Sequence, residues 1–372
     1  MNVIRHRPKV SRKASADDPA LRDLEFHARE DQTGTRLKLT ALEIGAVSHC
    51  NIACAGCSRC SPASRAEMAD PGRVLRDLTA LHTTVSCKVL RVTGGEPLLH
   101  PDLKGLLKAI RRSGIARCIQ LLTNGTLLHK RSLDWVDYVD MIQIAHYPGC
   151  PLSAETLKKL KRFCALKGKG LNVRNYHSFR LFHPKKSLSA RERVDIFETC
   201  QASHAWSCHQ VKKGRVYLCL PSLACKGREA DFCRIKPLNG LRERLADLLY
   251  SRKPLAVCRK CLGTVGNIIP HRQVPLAQWL KVSRQGFIDR SWMAKVRDNP
   301  WMESNLYDTT LDLPWKGEPP KSVEWHIDWK AFFASAEPPE PAETDNPRRF
   351  HLSAGKARLS QVPLPLKLPD AT

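Results

Sequence analysis

Between about residues 37 and 190, apolar positions follow two alternating rhythms. Short runs at 39–46, 89–92, 118–123, 138–145 and 171–174 are aliphatic and β-branched and have the length of strands. Between them the spacing lengthens to that of helices. Val74, Leu75, Leu78 and Leu81 share one side of a helix predicted over 71–85. Leu106, Leu107 and Ile110 mark a second over 102–113, and Leu157, Leu160 and Cys164 a third over 154–166. Strands alternating with helices predict a parallel sheet in an α/β fold. Residues 1–36 are polar without clear periodicity and read as a loose N-terminal extension. From about 334 onward, Pro-Pro-Glu-Pro and Val-Pro-Leu-Pro predict a disordered tail without a core.

A chain of 372 residues has length for two domains and a large core. Its formal charge of +25 favours an anionic partner: a phosphorylated sugar or nucleotide, an acidic peptide or nucleic acid. Ten basic residues fall between Pro151 and Leu188 against the single acid Glu155. Four of them, Lys158, Lys159, Lys161 and Arg162, fall on the outer face of the third helix and are expected to be solvated. No run of eighteen apolar residues occurs, and Met1 to Pro8 lacks an apolar leader, so a cytoplasmic location without membrane insertion is expected. Fifteen cysteines in such a setting point to metal or redox chemistry rather than disulfides.

The cysteines form two sets. Cys50, Cys54 and Cys57 lie in one short loop directly behind the first strand. Three thiolates suit a [4Fe–4S] cubane with one iron left open, whereas structural zinc takes four protein ligands. The second strand runs into Thr93-Gly94-Gly95-Glu96-Pro97, whose glycines permit close backbone approach and whose glutamate accepts hydrogen bonds. The third strand ends in Thr123-Asn124-Gly125. The later set comprises Cys200, Cys208, Cys219, Cys225, Cys233, Cys258 and Cys261, with a turn at Lys213-Gly214 before Cys219 and a CxxC pair at Cys258 and Cys261.

The CxxxCxxC loop, the GGEP turn and the TNG turn, each behind a strand and in this order, resemble the radical S-adenosylmethionine (radical SAM) family. The resemblance covers about residues 40 to 270 and implies a partial (β/α)6 TIM-like barrel with its site at the C-terminal ends of the strands. It implies reductive cleavage of S-adenosylmethionine (SAM) to a 5′-deoxyadenosyl radical, with Gly94, Gly95, Glu96, Asn124, Ala145 and His146 as cofactor-binding residues. A flavodoxin- or ferredoxin-type reductant is implied as a partner. Many family members carry an aromatic residue just before the third cysteine, near the adenine; this chain has Gly56 there. The adenine contacts therefore fall to backbone atoms of the loop or to Ala145, His146 and Tyr147.

The Gly214 to Cys219 element and the later CxxC pair resemble twitch and SPASM auxiliary-cluster modules. That resemblance implies a second [4Fe–4S] cluster held by Cys208, Cys219, Cys258 and Cys261, with Cys200 as the alternative first ligand. Cys60 is expected to pack as a small apolar group, and Cys225 is the one weak candidate for a catalytic hydrogen donor. The expected domains are 37–190 for the core, 191–275 for the auxiliary-cluster domain and 276–372 for an extension with the tail. The expected function is dehydrogenation or epimerisation of a sugar, nucleoside or other small metabolite. A peptide-modifying maturase and a non-enzymatic basic zinc protein binding nucleic acid stand as alternatives.

Overall fold

The computed structural model describes residues 36–224, 231–300 and 306–313. The expected N-terminal extension through residue 35, Cys225 and the expected tail lie outside the described residues.

Five consecutive strands pair in parallel: β1 (Leu37–Val47), β2 (Val85–Gly94), β3 (Ala116–Thr123), β4 (Met141–His146) and β5 (Gly170–Tyr176). Helix α1 (Pro71–His82) connects β1 to β2, α2 (Leu103–Ser113) connects β2 to β3, and α3 (Ala154–Leu166) connects β4 to β5. The link from β3 to β4 uses two 3-10 turns, Leu128–Lys130 and Val136–Tyr138, in place of a helix. This is the mixed α/β, partial TIM-like arrangement that the resemblance implies, with one fewer consecutive strand than its six. On the β1 edge, β7 (Gln210–Lys212) pairs parallel, then β8 (Arg215–Tyr217) and β9 (Phe232–Arg234) pair antiparallel. On the β5 edge, β11 (Tyr307–Leu313) pairs antiparallel. A separate two-stranded ribbon joins β6 (Ser178–Arg180) to β10 (Ile268–Pro270).

The parallel strands are buried on both faces, which explains their near-continuous apolar runs. Leu42, Leu78, Leu81, Leu90, Leu106 and Leu107 are among the fully buried side chains joining sheet and helices. Helix starts follow from caps: Asp70 accepts from Arg73 N at 2.6 Å ahead of Pro71, and Asp102 accepts from Gly105 N at 2.8 Å. α1 ends at His82 rather than 85 because Val85 already begins β2. On α3, Leu160 and Cys164 are buried while Lys158, Lys159, Lys161 and Arg162 are exposed, as the charge pattern predicts.

The remaining elements are α4 (Ala190–Glu198), α5 (Gln201–His204), α6 (Leu220–Ala224), α7 (Leu241–Leu249), α8 (Leu276–Ser283) and α9 (Arg290–Asp298). A five-residue 3-10 turn, Ala256–Lys260, carries Cys258. Asp231, fully buried, accepts from Ala256 N at 2.7 Å and Val257 N at 3.1 Å and so holds the start of that turn.

Candidate functional site: two thiol sets

The first thiol loop lies at the C-terminal end of β1, beside the ends of β2 and β3. The GGEP turn is sewn to it through backbone: Gly95 N donates to Val47 O at 2.8 Å and Glu96 N to His49 O at 3.1 Å. A Cβ on Gly95 would fall 1.7 Å from His49 O, and one on Gly94 (φ 134°) 2.3 Å from Val47 O. The glycines therefore serve the close approach of two protein loops. Loop 53–56 is held from the opposite side by residues beyond β10. Ala55 N donates to Arg272 O at 2.8 Å, Val274 N to Ala53 O at 3.0 Å, and Trp279 Nε1 on α8 to Cys54 O at 2.9 Å. Residues 276–283, expected in the C-terminal extension, thus pack against the core's first cysteine loop.

Glu96 is fully buried. Its carboxylate accepts from Leu98 N at 3.0 Å, Thr123 Oγ1 at 2.6 Å and Asn124 N at 2.7 Å, clamping the GGEP turn to the TNG turn. Burial pushes its pKa up to about 7 against the pull of those three donors. Asn124 Nδ2 donates to Asn51 Oδ1 at 2.9 Å and reaches Cys50 Sγ at 3.7 Å, while its Oδ1 accepts from Thr126. Both residues predicted to bind the cofactor are thus engaged with protein. His146 spans Asn175 Oδ1 at 2.9 Å and Cys150 O at 3.0 Å, and Ala145 is half-buried beside it on β4.

Three thiols on one eight-residue loop are the donor set of an iron–sulfur cluster with an open iron. Burial raises Cys50 to about 11, and the nearby Cys57 thiol adds to it. Burial raises Cys54 further, with Cys57, Cys50 and Cys150 contributing, so the three loop thiols are mutual neighbours. The Asn124 amide already points a hydrogen-bond donor at one sulfur. Metal binding would replace these protons and relieve the repulsion between thiolates. Cys150 and Gln273 near this loop, the latter donating to Cys150 Sγ at 3.5 Å, escaped sequence reading because they arrive from distant loops.

The second set assembles around one cavity. Cys200 at the head of α5, Cys219 after β8, Cys258 in the 3-10 turn and Cys261 just after it all line it. Its other walls are apolar, including Phe182, Ile196, Phe197, Pro221, Leu255 and Val257. Burial lifts Cys219 and Cys258 to about 12 and raises Cys261 well above its ordinary value, and Cys200 adds to all three. Gly263 N donates to Cys261 Sγ at 3.2 Å, and Ser203 Oγ lies 3.6 Å from Cys200 Sγ. A Cβ on Gly263 (φ 54°) would sit 3.2 Å from Cys200 Sγ. Among the described residues, no three His, Cys, Asp or Glu side chains converge as for a single ion; a cubane spreads its thiolates over separate irons.

Cys208 is placed elsewhere. Its sulfur lies 3.9 Å from Trp206 O and 4.0 Å from Arg91 Nη1. It borders a buried ionic group in which Glu43 pairs with Arg59 at 2.7 Å and Arg91 at 3.2 Å. Burial opposes the Glu43 charge, yet the two guanidiniums outweigh it and hold the carboxyl below its ordinary range. The structure therefore gathers the alternative residue, Cys200, with Cys219, Cys258 and Cys261.

Three consecutive residues run between the surroundings of the two sets. Leu181 packs over Gly56, where an added Cβ would meet Leu181 Cδ2 at 2.8 Å. Phe182 lines the second cavity and accepts from Leu262 N at 2.7 Å. His183 lies 3.7 Å from Cys60 Sγ and 3.5 Å from Lys260 O.

Two such thiol sets are the donor groups of an iron–sulfur enzyme. Residues 46–180 match the Radical SAM superfamily. The chain is a SAM-dependent [4Fe–4S] enzyme, which displaces the non-enzymatic zinc alternative. Similar proteins include the probable GTP 3′,8-cyclase of Methanothermobacter marburgensis, 25% identical over 225 residues, covering 59% of this chain and 70% of that one. The GTP 3′,8-cyclase of Chlorobaculum tepidum is 28% identical over 120 residues, 32% of this chain and 34% of that one. Among solved structures, BtrN in complex with AdoMet and 2-DOIA aligns at a TM-score of 0.39 and 16% identity, covering 60% of this chain and 92% of that one. Among the described residues, no helix is long and apolar enough to cross a membrane.

Proposed function

We propose that this chain is a radical SAM enzyme with an auxiliary [4Fe–4S] cluster, acting on an anionic, nucleotide-like small molecule. The observation that carries the auxiliary cluster is the convergence of Cys200, Cys219, Cys258 and Cys261 on one apolar-walled cavity. The first cluster would be held by Cys50, Cys54 and Cys57. When bound there, cluster and SAM supply a hydrogen-atom abstractor once an electron arrives from a flavodoxin- or ferredoxin-type donor.

The protein's own part is position and exclusion of water. Glu96 holds the ends of β2 and β3 in register, so that the GGEP and TNG turns face the open side of the thiol loop. Asn124 orients Cys50. The apolar second cavity keeps water from its thiolates. Support for the substrate class comes from the net charge of +25 and from similarity to proteins named GTP 3′,8-cyclases. Dehydrogenation is the reaction class a second redox-capable site suits best, because the substrate radical must then give up an electron; epimerisation, which leaves the oxidation state unchanged, would instead need a hydrogen atom returned to the substrate.

Anaerobic reconstitution followed by iron and sulfide analysis tests the cluster assignment, with about eight irons per chain expected for two cubanes. Incubation with SAM, dithionite and a panel of nucleotides and phosphorylated sugars tests the substrate. A nucleotide should stimulate 5′-deoxyadenosine formation and be converted. Full iron content with stimulation only by uncharged peptides would overturn the substrate class.

A further inference from the structure

The β6–β10 ribbon turns one face toward the first thiol loop. Ile269 pairs directly with Phe179. Strand alternation puts Leu181 and His271 on that same face, each two residues further along. At one end, Leu181 and Ile269 close over Gly56: an added Cβ, already strained at φ +74°, would meet them at 2.8 and 3.3 Å. A side chain at the residue before the third cysteine would be strained and would displace Leu181.

At the other end, His271 stacks on Tyr147 with centroids 4.7 Å apart and planes 14° from parallel, and Phe179 tilts against it at 5.2 Å. Tyr147 is an electrostatic neighbour of Cys54, Cys57 and Cys50, so the stack borders the thiol loop. His271 is only 7% exposed, yet neither ring nitrogen has a hydrogen-bond partner. A buried imidazole with both nitrogens idle is costly, because each unmet group loses its hydration without return. Its neutral ring offers one donor and one acceptor. The edge of adenine carries an amino donor beside ring-nitrogen acceptors, so either tautomer finds a match.

We propose that His271, braced by Tyr147, hydrogen-bonds the adenine of SAM and so takes over the place of the side chain that Gly56 lacks. The proposal rests on the reading of Cys50, Cys54 and Cys57 as the SAM cluster loop.

The test uses the full chain, reconstituted anaerobically, as wild type, His271→Phe and His271→Gln. Phenylalanine keeps the stack and removes both nitrogens; glutamine restores a donor and an acceptor. Iron content is measured first, then SAM affinity by equilibrium dialysis without reductant. We expect SAM to bind about tenfold more weakly to His271→Phe, at unchanged iron, and His271→Gln to recover part of the loss. Wild type should also prefer S-adenosylhomocysteine over its inosine counterpart, in which the amino group is replaced by oxygen. His271→Phe should lose that preference.

Equal SAM affinity in wild type and His271→Phe overturns the proposal, as does a weakened His271→Phe that keeps the adenine preference. If His271→Phe loses iron, His271→Gln carries the test through the same adenine preference. A wild type with full iron that binds no SAM instead overturns the reading of the loop.

Discussion

The two thiol sets are built in opposite ways. The first occupies eight consecutive residues, 50–57, behind one strand. It is held by backbone from both sides: the GGEP turn through Val47 O and His49 O, and residues 272–274 through Ala53 and Ala55. The second draws its four thiols from three separated stretches of chain, and apolar packing sets its shape. A locally built site tolerates changes in distant packing but depends on the seams that fix its loop. A site gathered from afar depends on the fold around it and reveals its ligands only when that fold is known.

The sharpest break of this comparison is removal of the first set. Replacing Cys50, Cys54 and Cys57 with Ala should abolish reductive SAM cleavage and leave about half the iron, that of the second cluster. Analysis of iron and of 5′-deoxyadenosine checks both. Loss of all iron from a folded variant would show the two sites to be interdependent.

The next test separates two neighbours in sequence. Cys200→Ser should lose the auxiliary half of the iron while SAM cleavage at the first cluster continues. Cys208→Ser should keep both clusters, because its sulfur sits by Arg91 and Trp206 rather than on the cavity wall. Mössbauer or EPR spectra of the two variants distinguish them, and the reverse pattern would restore Cys208 as the ligand. If both clusters are intact in Cys200→Ser, Cys200 is not a ligand.

A smaller effect attaches to the clamp between the β2 and β3 turns. Burial lifts the folded-state pKa of Glu96 from 4.5 to about 7. The folded protein therefore binds the extra proton between those values, so this contribution to stability is fully present below the unfolded pKa. It is lost as pH rises through about 7, and is flat beyond. Glu96→Gln should remove that slope. It should also destabilise by about 1–3 kcal/mol, since an amide nitrogen then faces either the Asn124 N–H or the Thr123 and Leu98 donors. Urea unfolding of cluster-free protein at about pH 5 and about pH 8 measures both effects. An unchanged slope would show that Glu96 titrates as an ordinary exposed acid.

How much of this was legible in the sequence follows the same division. The five parallel strands and their helices were readable because period and cap signals are local, as at Asp70-Pro71 and Asp102. The first thiol loop and its two companion turns were readable for the same reason, each lying within a few residues behind a strand. The choice between Cys200 and Cys208 was not, because the longer gap before Gly214 suits Cys200 while Cys208 lies nearer, and only their partners in the fold separate them. Glu96 and Asn124 were identified as functional positions, but their bonds to each other's turns depend on strand register. His271 and Trp279 carried no local signal. Their roles arise because the chain returns to the first loop after passing through the second.

That return provides the finest test of the comparison. Trp279 is buried and gives its indole N–H to Cys54 O at 2.9 Å, the side-chain seam on the far side of the loop. Trp279→Phe keeps an aromatic ring against Ala55 and Val274 and removes that bond. The cost should be about 1 kcal/mol, a loss of a few degrees in Tm. The informative readout is the rate at which each cluster surrenders iron to a chelator. Opening of a local loop governs release from the first set, so that rate should rise about fivefold for a loss of about 1 kcal/mol. Release from the second set, whose walls Trp279 does not join, should stay at the wild-type rate. Equal acceleration at both sets would mean that they open together, and the contrast between a locally seamed site and a packed one would fail.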